Sequence, residues 1–168
     1  NDLAFDGGED LAPAAIAAAR RIRDMRDASD AAQVPVIYVN DNFGHWLSER
    51  GAIVDHCRAE ESRGKRLIDL LHPRNDDYFV VKPQFSGFYA TNLPVLLPQL
   101  GVSRLILTGI AADICVLFTA ADAHMRDYDL WVPEDTVASE QREHQQWALE
   151  LMRHSMCAET AESDALRL

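Results

Sequence analysis

Four short runs of β-branched and aromatic residues recur along the chain, each separated from the next by a stretch of helical composition. This alternation limits the fold more than any other feature. The runs are PVIYVN (residues 35–40), YFVVK (78–82), RLILTGI (104–110) and YDLWVP (128–133). They are nearly continuous in apolar character, as strands buried on both faces are. Between them lie helical patterns. LAPAAIAAARRIRDMRDA follows Asp10 as an N-cap, with Pro13 in the first turn; NLPVLLPQL follows Thr91 and stops at Gly101; EQREHQQWALELMRHS follows Ser139. Residues 52–71 read as partly helical with a break at Gly64, and CAETAESDALRL as a last short strand or a loop. Parallel strands need helical crossovers, so the order predicts an α/β fold with a mostly parallel, doubly wound sheet. A length of 168 residues suits one domain, residues 1–168, with no internal repeat or linker.

Charge and cysteine content narrow the function. A net charge of −11 argues against nucleic acid and anionic membrane as partners. No run approaches the length of a membrane span and the first residues do not read as a signal peptide, so a cytoplasmic setting is expected. Cys57, Cys115 and Cys157 are too few and too scattered for a disulfide framework. Of the 16 basic residues only Lys65 and Lys82 are lysines, so a lysine is the unusual choice here, although such bias mostly reflects genome composition.

Sites in such sheets form at the carboxyl ends of strands. Three candidates fall there: Asn40–Asp41, Lys82 and the turn from Gly109 to Cys115. Cys115 reads as the first turn of a helix just beyond a buried strand. Unpaired N–H groups and a partial positive charge at a helix start favour a thiolate, and the same amides can hold an oxyanion. The competing reading is that Cys115 is a small buried hydrophobe, as many free cysteines are. Lys82 could equally snorkel into solvent, but PQFSGFYATNL after it has the aromatic and small residues of a pocket wall. His124, nine residues along the same helix, faces away from Cys115; His45 lies on a loop at the right end of the sheet. His56, His72, His144 and His154 fall on helices or their ends and read as surface residues. Asp41 and His45 are two possible metal ligands without a third.

LILTGIAADICVLFTAADA and VVKPQFSGFYATNL together resemble the isochorismatase-like cysteine hydrolases, the superfamily of nicotinamidases and N-carbamoylsarcosine amidohydrolases. The resemblance spans essentially the whole chain in element order. It implies a three-layer α/β/α sandwich and an Asp–Lys–Cys triad with Lys82 and Cys115 as two members. It also implies an oxyanion hole from the amides of Ala111 and Cys115, and a cis peptide between Ile110 and Ala111. The triad aspartate precedes an Asn–Asp pair in a D-x-x-N-D pattern; the pair here is Asn1–Asp2, so the resemblance places that aspartate and the first strand before Asn1. Asp2 matches the second aspartate of the pattern, usually a structural residue. Nicotinamidases carry Asp-x-His after their second strand, whereas Phe43 stands here in Asp41–Phe43; no metal and no cofactor are therefore expected.

The resemblance implies a cysteine-dependent hydrolase of C–N bonds in small amides or carbamoyl compounds, acting through a thioester. Alternatives are isochorismatase-type vinyl ether hydrolysis, which needs no cysteine, and a non-catalytic binding or accessory protein on the same fold. Leu3, Trp46 and Phe85 are the expected substrate-pocket walls. A small-molecule substrate and a homo-oligomer, a dimer or larger, complete the expectation.

Overall fold

The computed structural model describes residues 2–42 and 49–165. Strands β1 (Ile37–Asp41) and β2 (Tyr78–Lys82) pair in parallel, with Asp41 in register with Lys82. β1 thus runs one residue beyond its expected end, and the two polar strand ends come side by side.

The run expected as one strand over residues 104–110 is two. β3 (Arg104–Ile106) pairs in parallel with β5 (Asp129–Trp131), and β4 (Gly109–Ile110) with β6 (Val137–Ala138). Gly109, at φ 110°, turns the chain between them, a conformation that side chains rarely adopt. Among the described residues no ladder joins β1–β2 to β3–β5. The carboxyl-terminal segment adds a single parallel bridge, Glu159 to Trp131.

Helices cover both faces. On one side α4 (Leu93–Leu100), α5 (Leu117–His124) and α6 (Arg142–Ser155) bury Leu93, Leu97, Leu117, Ala120, Ala123, Ala148, Leu149 and Met152. These residues share one core with Val80 of β2 and Leu130 of β5, so α5 and its neighbours bind the two halves of the strand layer together. On the other side α1 (Gly8–Ala31) buries Leu11 and Ala15 against Leu3 and Ala138. The result is the expected three-layer α/β/α arrangement. α2 (Arg50–Arg58) and α3 (Lys65–Leu70) flank it, separated at Gly64 as the sequence suggests.

Three helix starts differ from expectation; the simplest is α6, expected directly after Ser139, which begins at Arg142 with Gln141 as its N-cap. α1 begins before Asp10, because Gly7 supplies a left-handed N-cap at φ 84° and Gly8 lies so close to the Leu3 carbonyl that a Cβ would stand 2.1 Å from its oxygen. Asp10 then falls in the first turn, where its charge suits the helix dipole, and Pro13 stands inside the helix. At α4 the N-cap is Asn92, yet the Thr91 hydroxyl accepts the Leu93 N–H at 3.1 Å and so caps the helix from one residue earlier. Gly101 ends α4 in the left-handed conformation, as expected.

A buried polar hub anchors α1 to the strands that carry Asp41 and Lys82. Arg26 of α1 donates to the Tyr38 hydroxyl (2.6 Å) and the His72 carbonyl (2.9 Å), and pairs with Asp77 just before β2. The Arg26 and Asp77 side chains are almost wholly buried. Removing one partner of such a pair strands the other charge, which costs about 3–5 kcal/mol.

Burial raises the Tyr38 hydroxyl from 10.0 to about 12, against the opposing pull of Arg26. The unfolded chain would therefore ionise Tyr38 first, and its contribution to stability is full below pH 10 and falls as pH rises towards about 12. Ultraviolet titration should show one of the four tyrosines ionising near pH 12, and Tyr38→Phe should abolish that late step. Arg26→Ala should lower the urea midpoint by the equivalent of about 3–5 kcal/mol, measured by circular dichroism.

Candidate active site

Lys82, Asp41 and Cys115 meet at the carboxyl end of the strands. The Lys82 ammonium lies 2.8 Å from Asp41 Oδ2 and 3.4 Å from Cys115 Sγ. Lys82 is only 4% exposed, and a charge that deep needs a counter-charge nearby. Asp41 supplies it. The adjacency follows from strand register, since both residues end neighbouring parallel strands. The sequence offers Asp41 as a strand-end site candidate and as a possible metal ligand, but not as the partner of Lys82. The overlooked signal was that two strand-terminal residues of opposite charge would lie side by side.

Cys115 sits in a π-helical turn, Ala112–Val116, that runs directly into α5. Ala111, extended at φ −84°, precedes the turn, and its carbonyl accepts the N–H groups of Ile114 and Val116, each at 3.2 Å. The Ile110–Ala111 peptide is cis. Such a π turn winds the chain wider than an α-helix, and single π turns recur at functional sites.

Two side-chain clasps hold this turn. Ser139, just after β6, is buried; its hydroxyl accepts the Asp113 N–H at 3.3 Å and donates to Asp113 Oδ1 at 2.5 Å. His144 Nδ1 lies 3.5 Å from the other Asp113 oxygen. On the opposite side the Thr119 hydroxyl donates to the Cys115 carbonyl at 2.6 Å and accepts the Gly87 N–H at 2.9 Å. Ser86 donates to Asp122 Oδ2 at 2.6 Å, and Asp122 is held in turn by Arg126. None of these links was read from the sequence, although T-x-x-D on the Cys115 helix places both acceptors on one face.

The expected pocket residues separate. Phe85, in the loop after β2, is 44% exposed and packs its ring 5.3 Å from that of Phe118, which is 48% exposed. Phe118 lies three residues beyond Cys115, in the first turn of α5. Leu3 is fully buried with Leu11, Ala15 and Ala138, and Ile110 packs against that cluster. It backs the Ile110–Ala111 peptide from the core side and presents no wall to solvent. Trp46, with His45 and Phe43, lies outside the described residues.

Asp2 accepts the Ala4 N–H at 3.1 Å, and its other oxygen lies 2.8 Å from His56 Nε2. Burial alone would raise the Asp2 carboxyl, but these hydrogen bonds hold it below the ordinary value. Its bonds tie the segment before α1 to α2, well suited to a structural role.

A metal at Asp41 is a poor fit. Asp41 Oδ2 faces the Lys82 ammonium, which repels a second cation. Among the described residues no three His, Cys, Asp or Glu side chains cluster as a ligand set.

The sequence model of the isochorismatase domain matches residues 1–165. The chain is 40% identical over 159 residues to YaaI, an uncharacterized isochorismatase family protein of Bacillus subtilis, across 95% of this chain and 87% of that one. Ureidoacrylate amidohydrolase RutB of Acinetobacter baylyi is 30% identical over 60% of this chain, which spans 49% of that relative. N-carbamoylsarcosine amidase from Thermoplasma acidophilum superposes with a TM-score of 0.74 at 30% identity, across 93% of this chain and 88% of that structure. With a domain match over nearly its whole length and a close relative of the same name, the chain belongs to the isochorismatase family.

Proposed function

We propose that this protein is a cysteine-dependent hydrolase of C–N bonds in small amides or carbamoyl compounds. The observation that carries the reading is the Lys82 ammonium held between Asp41 and the Cys115 thiol. Relatives named as an amidohydrolase and an amidase support the bond class. A binding protein without catalysis has no need to bury an ammonium against a thiol.

Lys82 stabilises the Cys115 thiolate, and Asp41 fixes the ammonium in place. The triad aspartate that the family resemblance implies takes the thiol proton. The thiolate attacks the carbonyl carbon, forming a C–S bond, and the oxyanion rests on the amides of Ala111 and Cys115. The tetrahedral intermediate collapses, the C–N bond breaks, and the aspartic acid returns its proton to the departing amine. Water then attacks the thioester, the C–S bond breaks, and the acid leaves with the thiol restored. Phe85 and Phe118 flank the approach and select compact substrates.

The protein also assembles as a homo-oligomer in this reading. Ile114 and Phe118 on the Cys115 helix, with Phe85 and Tyr89 on the neighbouring loop, are all substantially exposed. Aromatics grouped in this way suit the core of an interface.

Cys115 should be the thiol that brief, limiting iodoacetamide labels first; peptide mapping that finds Cys57 or Cys157 labelled as fast would count against it. The decisive assay is ammonia release from a panel of small primary amides and N-carbamoyl amino acids. Cys115→Ala should abolish release, whereas retained turnover would point to chemistry that bypasses the thiol, as vinyl ether hydrolysis does. Lys82→Arg should lose about a hundredfold or more in turnover, nearly as much as Lys82→Ala, because a planar guanidinium does not fit the space of a compact ammonium. Light scattering on a sizing column should give a mass well above the 18.8 kDa of one chain, and a mass at that value would refute assembly.

A further inference from the structure

We propose that Thr119 is a positioning residue whose single hydroxyl sets the distance between Lys82 and Cys115. The proposal rests on Cys115 being the nucleophile. Lys82 and Cys115 come from separate elements, and among the described residues no backbone ladder ties the end of β2 to the turn before α5. Side-chain bonds between the two elements can therefore bear on their separation of 3.4 Å.

Thr119 makes the link. A carbonyl only accepts and an amide N–H only donates, so its hydroxyl has one possible orientation: proton towards the Cys115 carbonyl (2.6 Å), lone pair towards the Gly87 N–H (2.9 Å). Gly87 follows Lys82 by five residues, and Thr119 follows Cys115 by four. One oxygen thus joins the loop that leaves the lysine to the backbone of the nucleophile itself. A serine or threonine bonding four residues back perturbs its helix locally, here where a π turn passes into α5.

The loop has no slack at this point. A Cβ on Gly87 would lie 3.2 Å from Val39 Cγ1, 3.3 Å from Leu93 Cδ2 and 3.5 Å from Thr119 Cγ2. Gly87 is therefore pressed between β1, α4 and α5, and the Thr119 bond fixes its height along α5. One turn on, Asp122 takes the Ser86 hydroxyl and keeps the loop from pivoting about the first bond. Thr119 touches neither the thiol nor the ammonium; it acts through the backbones that carry them.

The three free cysteines provide the test, because Cys57 is buried and Cys157 exposed. Iodoacetamide labelling rates would be compared for the wild type, Thr119→Val and Thr119→Ser. The valine variant keeps the shape and loses both bonds; its Cys115 should label about tenfold more slowly relative to Cys157, with Cys57 still protected. The serine variant keeps the hydroxyl and should label within about twofold of the wild type. Equal Cys115 rates in wild type and valine variant would overturn the proposal. A wild-type Cys115 no faster than Cys157 would overturn the nucleophile reading instead. If the valine variant exposes Cys57, Thr119→Ala repeats the measurement with neither γ-methyl present. Exposure of Cys57 in both would show that the hydroxyl holds the fold at large, which also overturns a positioning role.

Discussion

An ammonium group taken out of water is the constraint around which the rest of this structure is arranged. Lys82 sits at 4% exposure, where an unpaired charge would be expensive. Its cost is offset by a carboxylate at 2.8 Å, and the ammonium also lies 3.4 Å from the Cys115 sulfur. That second neighbour matters for chemistry. A lysine paired only with carboxylates is a structural ion pair, whereas one with a thiol beside it stabilises whatever negative charge the sulfur carries. The geometry needs β1 and β2 in parallel register, because a slip of one residue would send Asp41 or Lys82 to the opposite face of the sheet. The Arg26–Tyr38–Asp77 hub holds that register from the other end of the same two strands.

Much of this was legible in the sequence, for a physical reason. Strands buried on both faces must be nearly continuous in apolar residues, so PVIYVN and YFVVK announce themselves. Glycine ends a helix in a conformation few other residues tolerate, so Gly101 does too. The break at Gly64 and the placement of Cys115 at a helix start belong to the same class, because each depends on only a few adjacent residues. What escaped depends on residues far apart. The split of residues 104–110 comes from pairing with two successive strands 20 to 30 residues later, which no local pattern encodes. Leu3 was expected as a pocket wall, and packing with Leu11, Ala15 and Ala138, all distant in sequence or on another element, puts it in the core instead.

The site divides in the same way. Lys82 and Cys115 carry unusual residue types for their surroundings and could be singled out. Asp41, Ser139, Thr119 and Asp122 are ordinary residues for their positions and gain meaning only from what they face. Phe118 escaped for a related reason: an aromatic in an apolar helix reads as core, and only the structure turns it outward against Phe85.

The loop after β2 shows how an irregular segment can lie inside a fold without a ladder to satisfy it. Buried backbone groups need partners, and loops usually find them in water. Here the side chains of the loop do the work. Ser86 Oγ accepts the Phe88 N–H while donating to Asp122, and Thr91 Oγ1 donates to the Gly87 carbonyl while accepting the Leu93 N–H. Each hydroxyl serves once as donor and once as acceptor. Ser86, Gly87 and Phe88 can therefore be buried in the company of Lys82 with few water-dependent bonds. The small residues of this loop serve a second end, because they let the backbone approach α5 closely enough for one threonine oxygen to reach it. The residues SGFYAT thus satisfy much of their own backbone while bringing Gly87 within reach of the Thr119 hydroxyl on α5.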